Sequence, residues 1–253
     1  IINWLLNQEE EMELDTVKPY LEFADRVFRH RKNLTDLIKA LVKDGKKVFG
    51  YGASTKGNVL LQFCDFTTKH IPYIAEVNKE KFGSFTPGTN IPIISEQEAK
   101  EMKPDYFLVL PWHFRDEIIK RESTFLNNGG QFIFPLPNFE IYSSKKRLLI
   151  TGCDGFIGNY IKNSDLFKYN LYGIGRSNYK YENGILKSYF DMNNTEHLES
   201  FLSIIKPDII IHLASLSSSS YAFYNPIETL YTNGMLVAHL CDIIHRNNWN
   251  TIL

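Results

Sequence analysis

The 253-residue sequence predicts an α/β protein made of two tandem doubly wound parallel sheets, the second of them truncated. Three observations carry this. From Lys46 onward, short apolar runs alternate with stretches of helical periodicity, the pattern of parallel strands joined by crossover helices. An apolar run feeds directly into a glycine turn twice, at Gly50 to Gly52 and at Gly152 to Gly158. Between the two, Pro135, Pro137 and the polar stretch NFEIYSSKK separate a finished series of elements from a restart at RLLITG. The boundary is therefore expected between Tyr142 and Lys145, with units over residues 1–142 and 145–253.

Residues 18–44 place Leu21, Ala24, Val27, Phe28, Leu34, Leu37, Ile38 and Leu41 at helical spacings, with Asn33 a candidate kink and Gly45 a stop. KKVFGYGAST reads as a strand entering a turn, and KGNVLLQFC as the helix after it. IPYIAEVN, PDYFLVLPW and GGQFIFPLP are further strands, SEQEAKEM and HFRDEIIKRESTFLNN further helices, and NFEIYSSKK a short polar connection. In the second unit RLLIT, LYGIGR, SYFDM and PDIIIHLAS read as strands, while FIGNYIKNS, NTEHLESFLSIIK and IETLYTNGMLVAHLCDIIHRN read as helices. TIL opens one more strand at the end.

Composition excludes more than it assigns. A hydrophobic fraction of 43% and a charged fraction of 23% are those of an ordinary globular protein. With net charge −1 and scattered Lys and Arg, no nucleic-acid footprint is present. No apolar run reaches the roughly 18 residues of a membrane span, and no signal peptide opens the chain. Cys64, Cys153 and Cys241 are odd in number and far apart, which fits neither a disulfide framework nor a metal site. The cytoplasm is the expected compartment. Ile1 at one end and Leu253 inside a strand at the other lead to the expectation that both ends are cuts through a longer protein.

The chemistry-bearing motif of the second unit is TGCDGFIG. Gly152 permits a sharp turn, Gly155 lets backbone amides approach a pyrophosphate, and Gly158 lets the helix opened by Phe156 and Ile157 pack on its strand. This is the turn of a Rossmann-like dinucleotide unit. Arg176, about 20 residues beyond, stands where an acid would hold the ribose of NAD, and so favours NADP; a solvated surface arginine is the alternative. His212 reads as a strand histidine. The fingerprint in this setting resembles the extended short-chain dehydrogenase/reductase family of epimerases and dehydratases, from about Arg147 to Leu253. The resemblance implies that Asp191 and Met192 contact the adenine, that Leu213, Ala214 and Ser215 line the dinucleotide, and that Asn225, Pro226, Asn233 and Gly234 belong to the helix before the catalytic strand. It also implies a homodimer through this unit. No Tyr-x-x-x-Lys follows the glycine turn, so the stretch is expected to hold most of a dinucleotide site without turning over.

In the first unit, Ser54 or Thr55 caps the helix after Gly52, and Lys56 adds a positive charge. The residues themselves fit a phosphate cradle and a plain helix cap equally well. YGASTKGN, FTPGTNIPII, PDYFLVLPWHFRDEI and GGQFIFPLP resemble the C-terminal domain of sugar C-methyltransferases of deoxysugar pathways, over about Tyr20 to Tyr142. That resemblance implies substrate handling: a nucleotide-linked keto-sugar whose diphosphate meets Ser54, Thr55 and Lys56 and which also meets Trp112, His113 and Arg115. The methyl donor, S-adenosylmethionine (SAM), belongs to a separate upstream domain. Read without the resemblance, Trp112 fits a core residue, His113 a cap, and Arg115 a partner of Asp116 or Glu117. Glu76 ends the second strand where a ribose would be gripped, which leaves an adenosine cofactor in this unit open. The combined expectation is a bifunctional sugar-nucleotide-modifying enzyme, with a non-catalytic NADP and sugar-nucleotide binding module as the alternative.

Overall fold

The computed structural model describes residues 1–137, 139–162, 169–175, 180–182, 185–188 and 191–253. Helix α1 (Ile2–Glu11) buries none of its residues, whereas α2 (Lys18–Lys43) inserts Leu34, Leu37, Ile38, Ala40 and Leu41 into the core. Asn33 does not break it, since α2 runs on through it.

The first sheet contains β1 (Val48–Tyr51), β2 (Ile74–Glu76), β3 (Ile93–Ser95), β4 (Tyr106–Val109), β5 (Gln131–Phe134) and β6 (Glu140–Tyr142), in the order β3-β2-β1-β4-β5-β6. All neighbours are parallel except β6, which runs antiparallel to β5 at the edge. Helices α3 (Thr55–Phe63), α4 (Glu96–Glu101), α5 (Arg115–Arg121) and α6 (Ser123–Asn127) join the strands. The long helix expected from His113 is instead a 3-10 turn over 112–114 followed by α5 and α6, with the break at Glu122.

β6 is a correction, because NFEIYSSKK was expected to be a connection. Ile141 is fully buried, and the Glu140 carboxylate is bound by Arg115 through two hydrogen bonds of 3.0 and 2.8 Å. The Arg115 guanidinium also lies over the rings of Phe134 and Tyr142, so one side chain fastens the edge strand to α5.

The second sheet contains β7 (Arg147–Thr151), β8 (Asn170–Ile174), β9 (Lys180–Glu182), β10 (Ile185–Ser188) and β11 (Ile209–His212), in the order β11-β7-β8-β10-β9. Helices α7 (Phe156–Lys162), α8 (Thr195–Ile205), α9 (Ser219–Tyr224) and α10 (Pro226–Arg246) complete the unit. The third parallel strand is Ile185 to Ser188, displaced from the expected SYFDM, and β9 pairs with it antiparallel; Tyr189 and Phe190 lie outside the described residues. TIL begins a strand as expected, in that Ile252 bridges to Ile209 in the parallel sense.

One apolar cluster runs through both sheets. It joins Leu37 and Leu41 of α2 and Ile141 of β6 to Tyr172 of β8, Leu186 of β10 and Ile204 of α8. Because Glu140 is buried and its other cation, Lys206, is 3.7 Å away, Arg115→Ala leaves a poorly compensated carboxylate. A fully buried pair broken this way costs ~3–5 kcal/mol; with Arg115 partly exposed, we expect about 2 kcal/mol, read as a lowered urea midpoint.

Candidate functional site

In the second sheet the crossovers reverse direction between β7 and β11, which opens a crevice at the carboxyl ends of these strands. Gly152 ends β7 with φ +66°, and a Cβ there would stand 2.8 Å from the Ala214 backbone N and 2.9 Å from the Leu213 carbonyl carbon. Backbone cannot step aside, so only glycine fits. A Cβ on Gly158 would likewise stand 2.5 Å from the Gly152 O, while Gly155 meets nothing nearer than 3.2 Å and keeps an open face. Thr151 ties the crevice together: its Oγ1 accepts from the backbone N–H of Leu213 (3.0 Å) and Ala214 (3.1 Å) and bonds His212 Nδ1 at 2.8 Å. Burial lowers the His212 pKa, which favours the neutral ring in this strand-end bond. Farther along, Asn233 of α10 bonds both the N–H and the C=O of Leu216, bracing the loop that follows β11.

The expected residues of this unit divide. Gly152, Gly155 and Gly158, with Leu213, Ala214 and the exposed Ser215, come together at the crevice. Phe156 and Ile157 point outward, Phe156 with 92% of its surface exposed. Asp191 accepts from the Asn193 N–H at 3.0 Å and faces a broad crevice against α2 beside Lys39 and Lys43, while Met192 is buried in the core. Arg176 lies outside the described residues. Sequence reasoning missed one pair: Asp154, inside the glycine turn, accepts from Lys187 Nζ of β10 at 2.8 Å. The signal was a lysine inside a short strand, between Leu186 and Ser188.

The first sheet repeats the geometry. Its switch point lies between β1 and β4, where a cavity of about 420 Å³ opens. Gly52 has φ +79°, and a Cβ there would stand 2.7 Å from the Pro111 ring. Ser54 caps α3 by accepting from the Gly57 N–H at 3.0 Å and lines the cavity; Thr55 and Lys56 are exposed at the start of the helix. Trp112 packs against the core, His113 is exposed against Phe114, and Arg115 is held by Glu140. These three do not line the cavity. Phe114, Glu117, Ile118 and Arg121 do, and their one-face helical spacing is a signal that could have found them.

Glu76 is 6% exposed and is spent on the turn itself: Oε2 accepts from the Ala53 N–H (2.8 Å), Oε1 from Val77 (2.8 Å) and Asn78 (2.9 Å), and Lys81 stands 3.3 Å away. Burial alone would raise this carboxyl, but the three backbone donors and Lys81 outweigh it and hold its pKa below the usual carboxylate range. Deeper in, Tyr51 donates to Glu122 at 2.9 Å and is joined by Arg121, which bridges on to Glu96 at 2.7 Å. Burial, with the carboxylates of Glu96 and Glu122, pushes the Tyr51 phenol up and keeps it protonated. Among the described residues there is no His, Cys, Asp and Glu cluster able to hold a metal ion, and no helix long and apolar enough to cross a membrane.

Two parallel sheets, each with a glycine-sealed crevice at its switch point, define a nucleotide-binding type of α/β protein. The chain belongs to the C-methyltransferase C-terminal domain family, which matches residues 1–137, and continues into a match to the NAD dependent epimerase/dehydratase family over residues 148–253. It is 40% identical to the C-methyltransferase NovU of Streptomyces niveus over 144 residues, covering 57% of this chain and 34% of NovU. It is 31% identical to UDP-glucuronic acid decarboxylase 1 of Danio rerio over 168 residues, covering 63% of this chain and 38% of that protein. The chain thus spans little more than a third of these relatives. Among solved structures, the epimerase Mth375 of Methanothermobacter thermautotrophicus is similar at 21% identity and a TM-score of 0.33, over 40% of this chain and 32% of that one.

Because the folded-state pKa of Glu76 is depressed, its contribution is present above the unfolded carboxyl pKa and is lost as pH falls through the folded value. Glu76→Gln is expected to lower stability by about 1.5–3 kcal/mol at pH 7, the worth of hydrogen bonds to a charged group, with the gap to wild type closing below about pH 4. Urea titrations at pH 7 and pH 3.5 check this.

Proposed function

We propose that the chain is the substrate-handling tail of a SAM-dependent sugar C-methyltransferase joined to the dinucleotide-binding part of an epimerase, dehydratase or reductase, the two acting on nucleotide-linked deoxysugars in one bifunctional cytoplasmic enzyme. The boundary falls in the loop after Tyr142, with units over 1–142 and 145–253. The observation that carries this reading is the turn at Gly152, where backbone presses on backbone and the face at Gly155 stays open for a pyrophosphate. This chain's part in that chemistry is to bind and orient: Thr151 holds the β11 exit in place, and Gly155, Leu213, Ala214 and Ser215 supply the walls. A nicotinamide dinucleotide, when bound, supplies hydride acceptance and return, and Arg176 favours NADP over NAD. In the first unit the sugar nucleotide is received at the β1/β4 crevice, with Ser54 and Arg121 in its lining and Thr55 and Lys56 following Ser54 at the exposed start of α3. Glu76 supports this assignment over an adenosine site, because both its oxygens already accept from the backbone. Exposed Ile227, Leu230, Tyr231 and Val237 form one ridge of α10, the face expected to meet a second copy.

Calorimetric titration with NAD⁺, NADP⁺, a thymidine-diphosphate sugar and SAM tests the reading. Gly155→Val fills the open face, its Cβ in a tight 3.2 Å contact with the Gly152 O, and in a variant shown folded by its melting curve is expected to weaken dinucleotide binding at least about tenfold, leaving the sugar nucleotide unaffected. Lys56→Ala is expected to do the reverse, by roughly threefold to tenfold. Tight SAM binding, or dinucleotide binding that survives Gly155→Val, contradicts the proposal.

A further inference from the structure

We infer that the cavity between α2 of the first unit and α8 of the second is a binding site for a nucleoside phosphate, separate from both strand-end crevices, and that its ligand clamps the two units together. The cavity measures about 440 Å³, within the range of small-molecule sites. Its walls come from α2 at Arg26 and Asn33, from the connection between β5 and β6 at Pro137 and Phe139, from the last turns of α8, and from Asn247 and Trp249 after α10. Neither unit forms this seam alone.

The charge of the lining has one sign. Arg26, Arg29 and Lys206 line the cavity, and among the described residues no Asp or Glu does. The carboxylates farther out do not use this charge up. Arg26 lies over the ring of Phe23 and makes no ion pair with a described residue. Arg29 is met by Asp25 and, at 3.9 Å, by Glu196, both exposed acids whose pairs water screens. Lys206 stands 3.7 Å from Glu140, whose two oxygens are already bound by Arg115. Positive charge left over in a concave site concentrates its potential on an anion, and two guanidinium groups with an ammonium suit the oxygens of a phosphate.

The remaining lining completes the ligand's description. Ser200 and Ser203, three residues apart on α8, add hydroxyl donors, and the buried Nε2 of His30 has no hydrogen-bond partner among the described residues. A polar group left unmatched is one that a polar ligand can satisfy at a gain. Trp249 and Phe139 supply aromatic surface, on which a planar base stacks. Cations and rings in one cavity of this size fit a phosphate carried on a nucleoside better than a bare anion, which would leave the rings unused.

The test combines hydrogen-exchange mass spectrometry and calorimetry on the full 253-residue chain, with thymidine monophosphate, adenosine monophosphate and inorganic phosphate as probes. At least one nucleotide is expected to protect residues 26–33, 200–206 and 247–249 together and to raise the melting temperature, because the site exists only with both units in place. Arg26→Glu, at an exposed position of α2, is expected to weaken that binding about threefold to tenfold in a chain that stays folded. Lys206→Asn, which keeps a residue suited to the left-handed φ of +47°, is expected to do the same. Gly155→Val and Lys56→Ala are expected to leave protection at the seam unchanged, so a failure of this site and a failure of the proposed function are read separately. Protection of the seam by neither nucleotide, inorganic phosphate bound as tightly as the better nucleotide, or affinity unchanged in the folded Arg26 and Lys206 variants overturns the inference.

Discussion

Each sheet of this protein depends on a steric constraint at one residue, the glycine that ends or follows its first strand. Gly52 lies against the ring of Pro111 and Gly152 against the backbone of Leu213 and Ala214, at distances that admit no Cβ, and both adopt positive φ. These contacts bring the exits of β1 and β4 in the first sheet, and of β7 and β11 in the second, side by side. Only with that closeness does the reversal of crossovers leave a shallow crevice at the carboxyl edge instead of a filled core. The same close approach turns backbone amides outward, so one constraint supplies both the shape of the site and its donors.

Polar groups around the two turns are spent on holding them. Glu76 accepts from three backbone N–H groups, and Thr151 receives two from the far side of its crevice. A residue engaged in this way positions a ligand's walls without touching the ligand. Groups with capacity left over, such as Arg121 in the first unit, are found in the cavity lining. The units are not independent in their packing: the cluster from α2 and β6 continues into α8 and β10, so a change at Arg115 or Glu140 is felt on both sides of the Ser143 to Lys146 loop.

Much of this was readable in the sequence because it is local. Apolar runs, glycine spacing and caps placed most strands and helices and the glycine crevice of the second unit. What escaped depended on distant partners. β6 looked like a polar connection because its glutamate is matched by an arginine 25 residues earlier, and β10 was displaced in the reading because its lysine is matched by an aspartate 33 residues earlier. Trp112, His113 and Arg115 were chosen for their chemistry, but the 3-10 turn over 112–114 rotates them out of the cavity wall, and the helical face of Phe114, Glu117 and Arg121 takes their place. Asp191 and Met192 were assigned by resemblance alone; Met192 is needed in the core, and Asp191 turns to the crevice beside α2.

Hydrogen-exchange mass spectrometry of the chain with and without a saturating nicotinamide dinucleotide tests the central claim most directly, because it locates the ligand without perturbing the turn. The account predicts protection confined to the glycine turn over 151–159 and the β11 exit over 212–217, with the β1/β4 crevice unchanged. Protection at the Gly52 turn and the Pro111 to Ile118 wall, with none at Gly152, would contradict it.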